Sequence, residues 1–322
     1  MTAIEVMATK KTVLMDEYDH PDIHNRMLSD RIRTEAFAKA IGSTVRPGDV
    51  VADVGCGTGI LSLLACRAGA SRVYAIDRSS TIAQARAIAK ANGLSDRITF
   101  ISEDAFNVEL PEKVDGIVSE WLGNGGLEEG MLAPVLSVRD RWLKPGGWMI
   151  PKSIIVYAAP VESKRAYQWV DYFTSDVYGF DYRLLRTRAA NELHFQNFLQ
   201  EELIAPPVAL TTMHIESIKS PEMDCSVSFQ ISRDGDIHGM AGWFTSEIGS
   251  GVPMSTAPGR PQTHWSHVFY PLEQAMMVTE GERIHYRLAT KTTKNGIFWR
   301  WGVNLEGSAE ISEEDLSTNN PD

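Results

Sequence analysis

The chain has 322 residues, enough for two domains with cores of their own. At 43% hydrophobic and 23% charged it has the composition of a globular protein, and its net charge of −11 speaks against a nucleic-acid partner while suiting a cationic substrate. Three cysteines, Cys56, Cys66 and Cys225, have no metal-ligand spacing, so no metal is expected, and reduced thiols fit a cytoplasmic protein. The N-terminus lacks the apolar core of a signal peptide, and no run reaches the ~18 apolar residues of a membrane span, so no membrane partner is expected.

Residues 1–11 have no periodicity. From Thr12 to Ile41 the pattern predicts a helix stopped by Gly42, rich in groups able to touch a ligand: Tyr18, His20, His24, Met27, Asp30 and Arg33. Val50 to Val54 reads as a buried parallel strand, followed by Gly55-Cys56-Gly57-Thr58-Gly59 and a helix from Ile60 to Ala68. Such a unit places bare backbone and a helix N-terminus beside a ligand. A second strand, Arg72 to Ile76, ends in Asp77, where an acid can accept hydrogen bonds from ribose hydroxyls.

The alternation continues through a helix from Ser80 to Ala91, a strand at Ile98 to Ile101 that leads into Glu103-Asp104-Ala105, and a strand ending near Ser119. A helix from Glu129 to Trp142 follows, with Lys144-Pro145-Gly146-Gly147 as its stop and a fifth strand from Trp148. This repetition predicts a doubly wound α/β sheet whose ligands lie beyond the C-terminal strand ends, where Gly55, Asp77, Asp104 and Glu120 all fall. After Pro151 the style changes to β-branched and aromatic runs at Ile154 to Ala159, Cys225 to Ile231, Ile237 to Phe244, Arg283 to Leu288 and Ile297 to Val303, which predict an antiparallel sheet folding toward a barrel. The expected division is therefore 1–150 and 151–322. Between about 163 and 204 lies a helical excursion with Tyr167, Trp169, Tyr172, Phe173, Tyr178 and Phe180, fit either to contact another subunit or to pack on the barrel.

Within this frame, Ser119 to Met131 carries two carboxylates, Glu120 and Glu129, on a glycine-rich loop at a strand end. Two acids brought together repel unless a cation lies between them, and the planar biological cation is a guanidinium. A guanidinium is a poor nucleophile, but two carboxylates can polarise its charge toward the nitrogens they bond and leave the remaining nitrogen to attack. Taken without its surroundings, the same loop reads more readily as a solvated acidic turn, the commoner fate of a Glu-Gly-rich segment.

The motifs together resemble a known family. Val54 to Ser62 followed by Asp77 resembles the S-adenosylmethionine site of class I methyltransferases. Ser119 to Gly123 with Glu129 and Met131 is similar to the double-glutamate loop of the arginine N-methyltransferases; Thr263-His264-Trp265 resembles their Thr-His-Trp loop, and His24 through Met27 and Asp30 to Arg33 their cofactor-covering helix. The resemblance implies a Rossmann-like domain, a β-barrel and a helical dimerisation arm, hence a homodimer. It implies S-adenosylmethionine as cofactor, with Asp53, Gly55, Gly57 and Gly59 at its loop, Asp77 at the ribose, Asp104 and Ala105 at the adenine, Arg33 at the methionine carboxylate, and Tyr18 and His24 bordering it. Glu120 and Glu129 would clamp the guanidinium, Asp30 and His264 would pair near the departing proton, and Met27, Met131 and Trp265 would touch the substrate.

Two departures stand out. Leu14-Met15-Asp16-Glu17-Tyr18 keeps one aromatic of the family's usual Tyr-Phe-x-x-Tyr pattern, and Asn124-Gly125-Gly126-Leu127-Glu128 replaces aromatics ahead of the second glutamate. They point to a smaller, more polar acceptor wall and to free L-arginine, or a small guanidine in small-molecule biosynthesis, as the substrate. An arginine within a protein is the alternative, followed by a non-catalytic cofactor-binding scaffold and by transfer to another nucleophile such as a phenol.

Overall fold

The computed structural model describes residues 21–293, 296–307 and 317–318. Tyr18, expected at the cofactor, lies outside the described residues. The single N-terminal helix read from the sequence is two: α1 (Pro21–Ser29) and α2 (Arg31–Thr44). Asp30 divides them because its backbone is extended (φ −70°, ψ 91°) and its Oδ1 accepts from Arg33 N at 3.0 Å, capping α2. Gly42 does not stop α2, which runs two residues further.

The parallel half consists of β1 (Val50–Val54), α3 (Ile60–Ala68), β2 (Arg72–Ile76), α4 (Ile82–Ala91), β3 (Ile98–Ile101), β4 (Val114–Val118), α5 (Leu132–Trp142) and β5 (Leu143–Ile150). Its sheet has the order β3-β2-β1-β4-β5 with every pair parallel. The strand order therefore reverses between β1 and β4, and a crevice opens at their C-terminal ends, where the glycine loop and the first glutamate both emerge. β1 and β2 bury four of their five residues each, so they read as continuous apolar runs. Helix α5 starts at Leu132 and not at Glu129, because Gly130 takes a left-handed φ of 68°. Glu129 thus stands on a loop.

The antiparallel half begins with β6 (Ser153–Val161) and continues through α6 (Lys164–Asp171), α7 (Leu184–Ala190), β7 (His194–Gln196), β8 (Val208–His214), β9 (Asp224–Gln230), β10 (Gly235–Gly249), β11 (Val252–Ser255), β12 (His267–Val278), β13 (Arg283–Thr293), β14 (Gly296–Leu305) and β15 (Ser317–Thr318). One sheet runs β7-β12-β10-β6-β8 with β11 on β10, and the other runs β15-β14-β13-β9. Together they form the barrel-like half that the alternation predicts. A main core runs through both halves, from Phe37 and Ile41 on α2 to Tyr270, Tyr286 and Trp301 in the barrel, all fully or almost fully buried. No helix among the described residues is long and apolar enough to cross a membrane.

The excursion on 163–204 divides its aromatics. Tyr167 is buried with Ala166 and Val170 against β6, β10 and β12, and its hydroxyl donates to Glu273 O at 3.1 Å. Trp169 (58% exposed), Tyr178 (94%) and Phe180 (69%) face outward. Packing on the barrel thus describes Tyr167 and the half-buried Phe173, while Trp169, Tyr172, Tyr178 and Phe180 form an apolar surface.

Candidate active site

A cavity of about 640 Å³ opens beyond the strand ends, within the range of small-molecule sites. Its inner end is the glycine loop. Gly55, Gly57 and Gly59 have φ of 72°, 51° and 85°, a left-handed path that other residues adopt only under strain. A Cβ at Gly57 would find nothing nearer than His24 at 3.7 Å, so backbone conformation and not space requires glycine there. Gly55 N and Cys56 N donate to Ile76 O at 2.8 and 3.0 Å, and Asp77 Oδ2 accepts from Gly57 N at 2.7 Å, so the end of β2 holds the loop. Asp77 Oδ1 accepts from Ser79 N and Oγ at 2.8 and 2.6 Å. Oδ2 thus keeps a lone pair for a further donor, while both of those on Oδ1 are engaged.

Of the residues expected at the cofactor, His24, Arg33, Gly55, Gly57, Asp77, Asp104 and Ala105 line this cavity. Two do not. Asp53 is fully buried beneath the loop; Oδ2 accepts from Ser62 Oγ at 2.6 Å, Oδ1 has no protein partner, and burial pushes its carboxyl up to about 7. Gly59 is the left-handed N-cap of α3 and acts through the helix start. Asp104 Oδ2 pairs with Arg78 at 2.8 Å and its Oδ1 caps Phe106 N at 2.9 Å, while Phe106 itself reaches the cavity. His24 is buried and its Nε2 lies 3.3 Å from Thr81 Oγ1, bringing α1 onto the start of α4.

Glu120, Glu129, Met27 and Met131 line the same cavity, and Met131 Cε comes within 3.2 Å of where a Cβ on Gly55 would stand. Arg33, expected at a methionine carboxylate, lines the cavity and pairs with Glu120: Nε and Nη2 reach Oε2 at 3.0 and 2.9 Å, and Nη1 donates to Met27 O at 3.2 Å. Both partners are nearly buried, so the pair is a strong internal contact. Glu120 Oε1 accepts from Leu122 N at 2.9 Å.

His264 and Asp30 meet as expected. Asp30 Oδ2 accepts from His264 N and from its Nδ1, each at 2.8 Å. Burial acts to raise the Asp30 carboxyl, but the bonds from Arg33 N and His264 outweigh it and hold it below its ordinary value. Burial pulls the imidazole below its ordinary value despite Asp30. Both shifts favour an ionised carboxylate with a neutral ring whose Nδ1–H donates, leaving Nε2 a proton acceptor. Neither group lines the cavity.

Trp265, expected to touch substrate, is a correction. It is 4% exposed, donates Nε1–H to Leu122 O at 2.7 Å and meets Phe244 edge-on at 5.3 Å. With Ser266 N donating to Asn124 Oδ1 at 2.7 Å, the Thr-His-Trp loop braces the glutamate loop from behind. The stretch expected to form the acceptor wall is also buried on that side. Gly125 and Gly126 face Val268 and Ile154, and a Cβ on Gly123 or Gly125 would collide with the Glu128 carboxylate. Glu128 turns that group inward, where both oxygens lie 3.0 Å from Gly125 N and burial pushes it up to about 7.

The wall comes from elsewhere. Thr292, Thr293, Gly296 and Ile297 of the β13–β14 hairpin line the cavity, and Gly130 lies near Ile297. Spacing held no sign of them, because strand pairing in the barrel brings them there.

The sequence profile of the arginine methyltransferase oligomerization subdomain matches residues 152–298, and that of a methyltransferase domain matches 51–147. The chain is 38% identical over 255 residues to a probable protein arginine N-methyltransferase 6 of Arabidopsis thaliana, across 76% of this chain and 58% of the relative's length. It is 33% identical over 301 residues to the probable protein arginine N-methyltransferase 6.2 of Oryza sativa subsp. indica, across 80% of this chain and 76% of that one. It superposes on a chain of the Trypanosoma brucei PRMT1 enzyme–prozyme heterotetrameric complex with AdoHcy with a TM-score of 0.83 and 29% identity, covering 94% and 98% of the two chains. The chain belongs to the protein arginine N-methyltransferase family.

The cofactor of this arginine methyltransferase is therefore S-adenosylmethionine, and the cavity fits it. Bare loop backbone, the Asp77 carboxylate and the Asp104–Phe106 rim suit the nucleoside end, and the crevice continues without interruption to the two glutamates. Among the described residues no His, Cys, Asp and Glu cluster could hold a metal ion. Cys56, Cys66 and Cys225 are free thiols.

Proposed function

We propose that this methyltransferase modifies arginine side chains within proteins. The observation that carries the guanidine reading is that Glu120 and Glu129, from either end of one loop, line the same cavity as the glycine loop. Bound S-adenosylmethionine supplies an electrophilic methyl group on a sulfonium. Glu120 and Glu129 take the guanidinium from two sides, fix its plane and draw its charge toward the nitrogens they bond. Arg33 holds the Glu120 carboxylate in place and links it to the helix that covers the site. The methylated product must lose a proton. Glu120 and Glu129 are the carboxylates in the cavity able to take it, and His264, neutral, anchored by Asp30 and within electrostatic reach of Glu120, stands outside the lining as a further acceptor.

Protein-bound arginine is supported by the names of the relatives, which are protein arginine N-methyltransferases. Free L-arginine, expected from the departures around Gly125, has no such support, and those residues turn away from the cavity. A homodimer through the arm is part of the same reading: the outward Trp169, Tyr178, Phe180 and Leu184 are a large apolar surface on a subdomain whose family profile is one of oligomerization.

The test is product mass spectrometry with the purified chain, S-adenosylmethionine, an arginine peptide and free arginine. Methyl on the peptide is expected, and methyl on free arginine alone would overturn the protein reading. Glu129→Gln should lower kcat by roughly 10²-fold or more with cofactor Kd unchanged. A nearly harmless Glu129→Gln would instead favour a different nucleophile.

A further inference from the structure

We infer that the β13–β14 hairpin is the specificity-determining wall of the acceptor half of the cavity, with Ile297 as its contact residue. This rests on the guanidine reading above. The segment between the glutamates contributes nothing to the cavity lining from Asn124 to Glu128, so whatever flanks the guanidine meets another surface. Among the described residues, the barrel's share of the lining is four hairpin residues. They lie at the glutamate end: Ile297 Cγ1 is 3.9 Å from where a Cβ on Gly130 would stand, and Gly130 follows Glu129 directly.

The hairpin is built as a firm wall. Thr292 and Ile297 are direct cross-strand partners, as are Thr293 and Gly296, so the side chains of Thr292 and Ile297 share one face of the ribbon. Behind it, Met223 N donates to Thr290 Oγ1 at 2.9 Å and Thr290 N to Met223 O at 2.8 Å, both buried. Glu222 accepts from Thr292 N at 2.8 Å. The wall thus offers one branched apolar side chain beside the Thr292 side chain, while the Thr293 hydroxyl donates to Gly296 O at 3.2 Å. This suits a short aliphatic stem carrying a guanidinium, with the polar backbone of a peptide at the rim. It also gives the barrel a part in acceptor choice that leaves the cofactor, held at the ends of β1, β2 and β3, untouched.

The experiment compares the wild-type chain with Ile297→Ala and Ile297→Val, measuring initial rates against an arginine peptide and against free arginine, with cofactor Kd by calorimetry. Ile297 is half-buried, and truncation to alanine should raise the peptide KM about ten-fold while cofactor Kd stays constant. Ile297→Val should fall between, and the peptide-to-free-arginine ratio of kcat/KM should change in Ile297→Ala. An unchanged peptide KM, or a loss confined to cofactor Kd, would overturn the assignment while the guanidine reading stands. A wild type that methylates neither acceptor removes both. Matching melting curves of the variants separate a wall effect from misfolding.

Discussion

Asp30 joins three parts of the site through one carboxylate: it caps α2, holds the backbone of the Thr-His-Trp loop and fixes the tautomer of His264. These roles separate by substitution. Asp30→Ala removes the cap and leaves the His264 donors facing an apolar group, at a combined cost of about 2 kcal/mol. Asp30→Asn keeps a cap and an acceptor but loses the charge, so it should cost well under half of that in urea melts while still lowering kcat. Equal destabilisation by the two would show that the cap contributes little. The Asp30–His264 pair was legible because both residues belong to recognisable motifs. The Arg33–Glu120 pair joins positions 87 apart with no shared spacing, and only the fold brings them together.

The arm is attached at both roots by barrel histidines acting as acceptors. Ser163 N donates to His238 Nδ1 at 3.1 Å, and Phe198 N to His267 Nδ1 at 2.9 Å, while His267 Nε2 donates to Thr256 O at 2.7 Å. Burial lowers both imidazoles, against the raising pull of Asp236, Glu162 and Asp171 on His238 and of Thr256 O and Glu202 on His267; Lys164 adds to the lowering at His238. A depressed histidine favours folding in its neutral form. Its stabilisation is full above the ordinary value of about 6.5 and is lost as pH falls from there toward the folded value. Amide protection factors at residues 163–171 and 194–199, taken relative to the intrinsic exchange rate at each pH, should therefore fall from pH 7.5 to 5.5 ahead of those in the parallel sheet. Uniform loss across both halves would count against this attachment. These clips were invisible in the sequence, where His238 and His267 sit in apolar runs. So was β12, a central partner of β10: Pro271 and Glu273 break its alternation, and the ladder tolerates Pro271 where its register with β10 shifts. Likewise β5 begins before its Lys-Pro-Gly-Gly stretch because it is an edge strand, where a proline removes no ladder bond. The parallel strands were legible because burial on both faces demands unbroken apolar runs.

At the scale of the molecule, the parallel half supplies the cofactor loop and both glutamates, the barrel supplies a wall and the brace behind them, and the cavity exists where the halves meet. The whole carries a net charge of −11, and Glu103, Asp104, Asp77, Glu120 and Glu129 line the crevice against Arg33 and Arg78. A cationic acceptor is therefore drawn in by a field that salt weakens, since the screening length falls from about 10 Å at 0.1 M to about 3 Å at 1 M. Raising NaCl from 50 mM to 500 mM should increase the KM of an arginine peptide several-fold and leave kcat nearly constant, because the half-buried clamp grips the bound guanidinium inside the cavity, where salt screens less than it does outside. The increase should be steeper for a peptide with several cationic residues than for one with a single arginine, because long-range attraction grows with acceptor charge whereas the glutamates bind one guanidinium at a time. Equal slopes for the two peptides would confine electrostatic recognition to the glutamate pair and remove any role for the outer field in acceptor choice.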